Sequence, residues 1–455
     1  MARAKNNPLI TDFNHIPAEA LVPKEEQPYP LPEHWKWVRL GTTVKNITVK
    51  TESFDAADKY LGLEDLNTGG GILRISDTHD LKSAKTVFQY GDVLYGKLRP
   101  YLNKHAVASF SGVCSTDILA LRPEKIIDAA YLDFWLSTPF FLNAAITNSK
   151  GVNLPRVSFN SIAQYPFPLP PLEEQKQIVA YLDEKLGKID SVHDKLQDFL
   201  DHAAQRKDNL IQAGVTGHLT EKWREEHLSE ASQDTELPEG SLISEEEQPY
   251  PIPETWKWVR LKYVGNFVSG SGFPKHLQGQ TNKTYPFYKV GNLVNTDKCG
   301  YIADAPNSID EQTRETIKAK VIPAESIIFA KVGEAIRLNR RAITVQPSCI
   351  DNNMMSFIPL HTCLRYSFAW FKNFDLYPLS LATSTPSVRK SALEQIPFPL
   401  PPMGEQEEIA RILDEQLERI ERTDKLVAEV LERLDTMKQQ IVSAALAGRL
   451  SLQVS

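Results

Sequence analysis

Cysteine is scarce. The 455 residues contain four, Cys114, Cys299, Cys349 and Cys363, and none forms a C-x-x-C pair. That excludes a disulfide framework and a cysteine zinc site, and it fits a reducing cytoplasm. Ten histidines are scattered without ligand spacing, so no metal site is expected. No apolar run reaches the ~18 residues of a membrane span, and the polar start Met1 to Ile10 does not read as an export signal. A cytoplasmic chain without membrane contact is therefore expected. Catalytic loops are missing too. There is no Asn-Pro-Pro-aromatic or Asp-Pro-Pro-aromatic loop for amino-methyl transfer and no Walker lysine loop, and Gly270-Ser-Gly272 lacks the third glycine of a dinucleotide fingerprint. Asp183-Glu-Lys185 resembles a nuclease fragment but falls on the exposed side of a heptad helix. No catalytic residue is assigned, and any chemistry has to come from a partner.

Positive charge is also in deficit, with a net charge of -7, which argues against a nucleic-acid binder until the charge is resolved along the chain. Glu225 to Glu247 carries nine carboxylates and no Lys or Arg. By contrast, Trp35 to Tyr165 holds 15 Lys and Arg against 12 Asp and Glu, and Trp256 to Ile396 holds 18 against 10. Two basic blocks are thus separated by an acidic segment rich in Ser and Glu, which reads as a solvated tether. The first ~25 residues read as an arm or fraying extension.

What the chain does have is a duplicated frame. Glu-Glu-Gln-Pro-Tyr-Pro-Leu-Pro-Glu-His-Trp-Lys-Trp-Val-Arg-Leu (Glu25 to Leu40) returns almost unchanged as Glu246 to Leu261, an offset of 221. Phe-Pro-Leu-Pro-Pro-Leu-Glu-Glu-Gln (Phe167 to Gln175) returns as Phe-Pro-Leu-Pro-Pro-Met-Gly-Glu-Gln (Phe398 to Gln406), an offset of 231. Between these borders lie two weakly similar blocks, so the chain holds two variable modules in one repeated frame.

Behind each proline border the period changes. Leu182, Ile189, Leu196, Ala203 and Leu210 recur every seven residues, with Ile178, Leu186, Val192 and Phe199 or Leu200 between them. Adding 231 gives Leu413, Ile420, Val427, Leu434 and Ile441, with Ile409, Leu417, Val430 and Leu431 between. Such a stripe keeps one apolar seam facing a partner helix. A helix from Leu172 to Ala213 would span roughly 60 Å at ~1.5 Å per residue. The matched registers predict a long antiparallel two-helix coiled coil between the modules.

Inside the modules, short apolar runs predict strands over Asp92–Lys97, His105–Phe110 and Asp117–Leu121, and over Ser326–Val332, Arg340–Val345 and Met354–Pro359. Helices are predicted near Ala129–Leu142 and Arg365–Phe374. Each module is therefore expected to be a mixed α/β domain with an antiparallel sheet. Val93 to Thr116 contains Lys97, Arg99, Tyr101, Lys104 and His105 and no acidic residue; Ala335 to Ile350 contains Arg337, Asn339, Arg340 and Arg341, likewise without an acid. Lys97 has Lys331 as its counterpart at offset 234. Lys and Arg neutralise phosphates, Arg can donate twice to a guanine edge, and Asn can do the same for adenine. A second basic candidate precedes each proline border: Arg156 in Asn153-Leu-Pro-Arg156, and Arg389 with Lys390 after Thr385-Pro386.

The paired Leu-Pro-x-x-Trp entrances (Leu31 to Trp35; Ile252 to Trp256), the Pro-Phe-Pro-Leu-Pro-Pro-x-x-Glu-Gln exits (Pro166 to Gln175; Pro397 to Gln406), the heptad helices and Gly217-His-Leu-Thr-Glu-Lys-Trp-Arg224 resemble the specificity subunit of Type I restriction–modification systems. The resemblance spans Pro28 to Leu452. It implies an α+β chain with an internal pseudo-two-fold repeat: an arm at 1–27, target-recognition domains at 28–166 and 248–397, heptad helices at 167–224 and 398–455, and an acidic linker at 225–247. It implies double-stranded DNA as ligand, each domain reading half of a split asymmetric site. Two adenine-N6 methyltransferase subunits, and motor-nuclease subunits through them, would be the partners. S-adenosylmethionine, ATP and magnesium would belong to those partners and not to this chain. The rival reading is a coiled-coil adaptor whose basic modules bind nucleic acid or protein without sequence choice.

Overall fold

The computed structural model describes residues 8–55, 58–79, 81–227, 237–380 and 385–449. It divides into two units, Met1–Gln197 with Ala428–Ser455, and Asp198–Val427. Each contains one module, one entrance and exit, and a stretch of both heptad segments.

In the first unit the two border motifs are strand partners. Lys36–Arg39 pairs antiparallel with Pro166–Leu169, placing Val38 opposite Phe167. The main sheet has four antiparallel strands in the order Val44–Ile47, Ile118–Pro123, Val93–Gly96, His105–Val107. Its alternating side chains serve two cores. Val93, Tyr95, Leu119 and Leu121 join Trp135, Phe141, Phe167, Ile178 and Leu182, whereas Leu94, Ala106, Ile118 and Ala120 join Leu61, Leu66 and Phe88. Burial on both faces explains why Val-Leu-Tyr-Gly reads as a continuous apolar run. A smaller four-stranded sheet covers the second face. The helix predicted over 129–142 is two: Ala129–Leu136, capped by Asp128, and Pro139–Thr147, capped by Thr138, because Pro139 cannot continue the first but suits the start of the second.

The second unit repeats the plan. Lys257–Arg260 pairs with Pro397–Leu400, Val259 opposite Phe398. The main sheet runs Gly265–Ser269, Met354–Pro359, Ile327–Ala330, Arg341–Thr344, with Tyr301–Ile302 added in parallel at its edge. Ile327, Phe329 and Ile343 face one core, and Ile328, Ala330 and Ala342 face the other. The helix after the sheet is Leu364–Asn373.

The heptad segments form helices Leu172–Asp201 and Ala203–Val215, interrupted at His202, and an unbroken Met403–Leu446. Contacts run with opposite numbering in each unit, so the pairing is antiparallel in both. In the first, Lys438 meets Asp190 at 2.5 Å and His193 lies 3.8 Å from Asp435; in the second, Arg206 meets Asp424 at 2.6 Å and Lys207 meets Glu421 at 3.3 Å. Within the seam Leu182 and Leu413 are buried, while Ile189, Leu196, Leu210, Ile420, Val427, Leu434 and Ile441 are half-buried. Leu431 is 8% exposed, but Val192 and Val430 are 47% and 40% exposed, because one partner helix covers only one side. The long helices end on left-handed glycines seated on the entrance motifs: a Cβ on Gly217 would lie 2.5 Å from Pro253 Cγ, and one on Gly448 2.5 Å from Pro32 Cγ.

Two expectations of loose segments need correction. The N-terminal arm is packed where it is described: Ile10 is fully buried, its N–H donates to the Thr42 carbonyl, and Val22 N–H donates to the Trp37 carbonyl at 3.0 Å. The end of the acidic linker does the same in the second unit, with Ile243 N–H donating to the Trp258 carbonyl at 3.1 Å. Residues 228–236 of that linker lie outside the described residues, as do 1–7 and 450–455. No helix among the described residues is long and apolar enough to cross a membrane.

Candidate nucleic-acid interface

The two kinds of basic segment named separately from sequence are joined by backbone hydrogen bonds. In the first unit Lys97 N–H donates to the Asp117 carbonyl (2.9 Å), Val157 N–H to the Lys97 carbonyl (3.0 Å) and Arg99 N–H to the Pro155 carbonyl (2.8 Å). The second unit repeats the pattern: Lys331 N–H to Asn353 (2.8 Å), Val388 N–H to Lys331 (2.9 Å), Gly333 N–H to Pro386 (2.7 Å). The loop after the central strand is thereby laid along the loop before the proline border in both copies. A shared scaffold carries different side chains.

Their environments sort the predicted residues. Lys97 lies in an open cleft with Asn46, Arg156 and Asn160. The Arg156 guanidinium is held by Asp117 at 2.9 and 3.1 Å, which keeps that carboxyl below its usual range. Arg99 and Tyr101 are exposed, and Arg99 has no side-chain partner among the described residues. Lys104 and His105 were expected to face DNA, but both are taken up by packing. Lys104 Nζ donates to the Leu63 and Leu66 carbonyls at 2.6 and 2.8 Å, and His105, 3% exposed, holds Asp133 at 2.7 Å through Nδ1.

In the second unit Arg341 starts the strand paired with Phe329, the place His105 has opposite Tyr95. It is 3% exposed, its guanidinium donates to the Arg340 carbonyl and to Asn339 Oδ1, and burial pushes its pKa down to about 9. Asn339 is committed as well, its Nδ2 donating to the Lys372 carbonyl at 3.0 Å. Arg341 is therefore a buried structural group, while Asn339 stays half-buried. Arg337 stacks on Tyr377 at 3.6 Å and pairs with Glu334 at 2.9 Å, and Lys390 lies 3.5 Å from Glu394. Arg340 and Arg389 are exposed, with no side-chain partner among the described residues. Lys331 is half-buried, and burial lowers its pKa, with Lys320 adding to the effect. Asn46 and Asn160 were not singled out from sequence, since each stands alone in a polar stretch and only the fold brings them beside Lys97.

Among the described residues no cluster of three His, Cys, Asp or Glu is placed to hold a metal ion. Residues 33–198 and 253–432 match the family described as Type I restriction modification DNA specificity domain. The chain belongs to this family. As a Type I specificity subunit it recognises DNA and is not itself an enzyme. It is 27% identical over 204 residues to the EcoDI specificity subunit of Escherichia coli, an alignment spanning 43% of this chain and 45% of that one. The MjaVIII specificity subunit of Methanocaldococcus jannaschii is 23% identical over 94% of this chain and 96% of its own. The crystal structure of the HsdS subunit from Thermoanaerobacter tengcongensis superposes with a TM-score of 0.59 at 20% identity, covering 93% of this chain and 100% of that one, which supports the fold.

Proposed function

We propose that this specificity subunit reads a split asymmetric DNA site, one half through each unit, and that its paired helices set the gap and dock two adenine-N6 methyltransferase subunits. Motor-nuclease subunits would join through these, and S-adenosylmethionine, ATP and magnesium would be bound by the partners. One observation carries the reading. The Lys97–Val157 and Lys331–Val388 loops share one backbone hydrogen-bond pattern, while the side chains mounted on them differ, which is what two readers of different sequence on one scaffold require. Lys97, Arg99 and Tyr101 in the first unit, and Lys331, Arg340 and Arg389 in the second, are the groups offered to DNA.

Mapping methylated adenines in cells with and without this gene, and with Trp256 to Ile396 exchanged for a relative's module, tests it. The expected result is one split motif, of which the exchange alters one half only. A change in both halves would refute separate readers. The adaptor reading predicts no motif, and uniform affinity across duplexes, because phosphate contacts alone supply non-specific binding.

A further inference from the structure

Arg99 sits in an unfavourable backbone conformation that nothing in the local packing requires of an arginine. Its φ is 54° and ψ 60°, left-handed for a residue with a Cβ, and it directly precedes Pro100, which further disfavours helical torsions at that position. The same place in the second unit is Gly333, which makes the same hydrogen bond to the proline loop in a different conformation, φ 80° and ψ -175°. Both have positive φ, for which glycine is the ordinary residue. A Cβ on Gly333 would meet no atom within 4 Å, so the copies differ here for a reason other than steric room.

The side chain of Arg99 stabilises nothing that would offset the strain. It is exposed and has no hydrogen-bond or ion-pair partner among the described residues, whereas its neighbour Arg156 is engaged by Asp117. Around it the joined loops present Tyr101, 51% exposed, Leu154, 46% exposed, and Val152, 99% exposed. The joined loops therefore carry an exposed guanidinium together with one exposed aromatic and two exposed aliphatic side chains, and the Arg99 backbone is fixed by the 2.8 Å bond to the Pro155 carbonyl.

Resting on the DNA-reading function above, we propose that Arg99 determines specificity by donating two hydrogen bonds to a guanine edge in the major groove of the half-site read by the first unit. The strained turn is retained because it aims this side chain outward. The second unit, with Gly333 at this place, reads by other residues, and Arg340 and Arg389 are its exposed arginines without a side-chain partner among the described residues.

The test uses the full chain assembled with its methyltransferase subunits, and reads methylated motifs, duplex affinities and melting temperature for Arg99→Gly and Arg99→Lys. Glycine removes the side chain and relieves the turn, so the melting temperature should not fall. Discrimination at one guanine of one half-site should weaken by about 5- to 150-fold, and the other half-site should be untouched. Lysine keeps the charge but not the two-donor fork, so it should relax the same position. An unchanged motif with a lowered melting temperature for Arg99→Gly would make Arg99 a purely structural residue. Uniform loss on all duplexes, rescued by lysine, would make it a phosphate contact. Either result overturns the proposal while leaving the split-site reading intact, whereas a wild-type complex without any motif would refute that reading itself.

Discussion

Glu174 and Glu405 stand at the same place in the duplicated exit motif, yet their surroundings give them unequal weight. Glu405 is fully buried and accepts hydrogen bonds from Arg224, from Thr220 Oγ1 at 2.6 Å and from Trp256 Nε1 at 2.8 Å. Glu174, with a side chain 26% exposed, turns outward to His34 at 2.9 Å, leaving the buried Nε1 of Trp35 without a partner. Among the described residues the second copy of the motif thus pairs its glutamate with a largely buried arginine and the first pairs its own with an exposed histidine. Removing one partner of a buried ion pair strands the other charge, at a cost of about 3–5 kcal/mol, whereas exposed pairs contribute under ~1 kcal/mol. Arg224→Ala should therefore lower the urea midpoint of the second unit substantially, and Glu174→Ala should barely move that of the first. Equal shifts in tryptophan-monitored titrations would show that burial does not separate the two sites.

The exit glutamines explain why the long helices start where they do. Gln175 accepts from Asp128 N–H at 2.9 Å and donates to the Ile126 and Pro170 carbonyls; Gln406 accepts from Cys363 N–H at 2.8 Å and from Thr362 Oγ1 at 2.7 Å, and donates to the Pro401 carbonyl. Each therefore ties the first turn of a heptad helix to the start of the module helix. Tyr131 and Tyr366 add hydroxyl bonds to Pro168 and Pro399 of the ribbon strands. Gln406→Leu preserves size but leaves buried groups unpaired, at about 1–3 kcal/mol each, so the second unit should melt earlier. An unchanged melting curve would mean that water satisfies these groups. Much of this element-level order was legible beforehand. Three strands of each main sheet, the module helices and the 231-residue helical register followed from apolar period, whereas Val44–Ile47 and Gly265–Ser269, which also belong to those sheets, did not; the border motifs marked positions that proved to be paired strands. The side-chain environments were not legible in the same way. His105 and Arg341 have the composition of a basic loop, yet each begins a strand packed against a module helix, Ala129–Leu136 or Leu364–Asn373, and sequence spacing cannot distinguish a guanidinium on a surface from one beneath it. Val430 and Leu431 were equivalent by heptad count until a real helix pair turned one outward.

At the scale of the whole chain, the second unit is contiguous while the first is assembled from both ends, and both long helices contribute to each. The unit boundaries fall at Gln197 and Val427, next to Leu196 and within the half-buried part of the seam. Under the proposed function these helices measure the separation of the two half-sites. Inserting seven residues after Leu196 and seven after Val427 keeps the apolar stripe, since two turns return nearly the same face. It lengthens each helix by roughly 10 Å at ~1.5 Å per residue. Laid along a duplex, that is up to about three base pairs at ~3.4 Å each. Such a step also turns the distal half-site by about a third of a helical turn, so some affinity should be lost. The half-site sequences should stay as they were while the preferred gap widens, because the groups proposed to face DNA all belong to the modules. Selection from duplexes with randomised gaps, using the assembled mutant complex, gives the readout. A widened optimum assigns the measurement of distance to the helices, and an optimum that stays in place in a folded complex would limit them to holding partners.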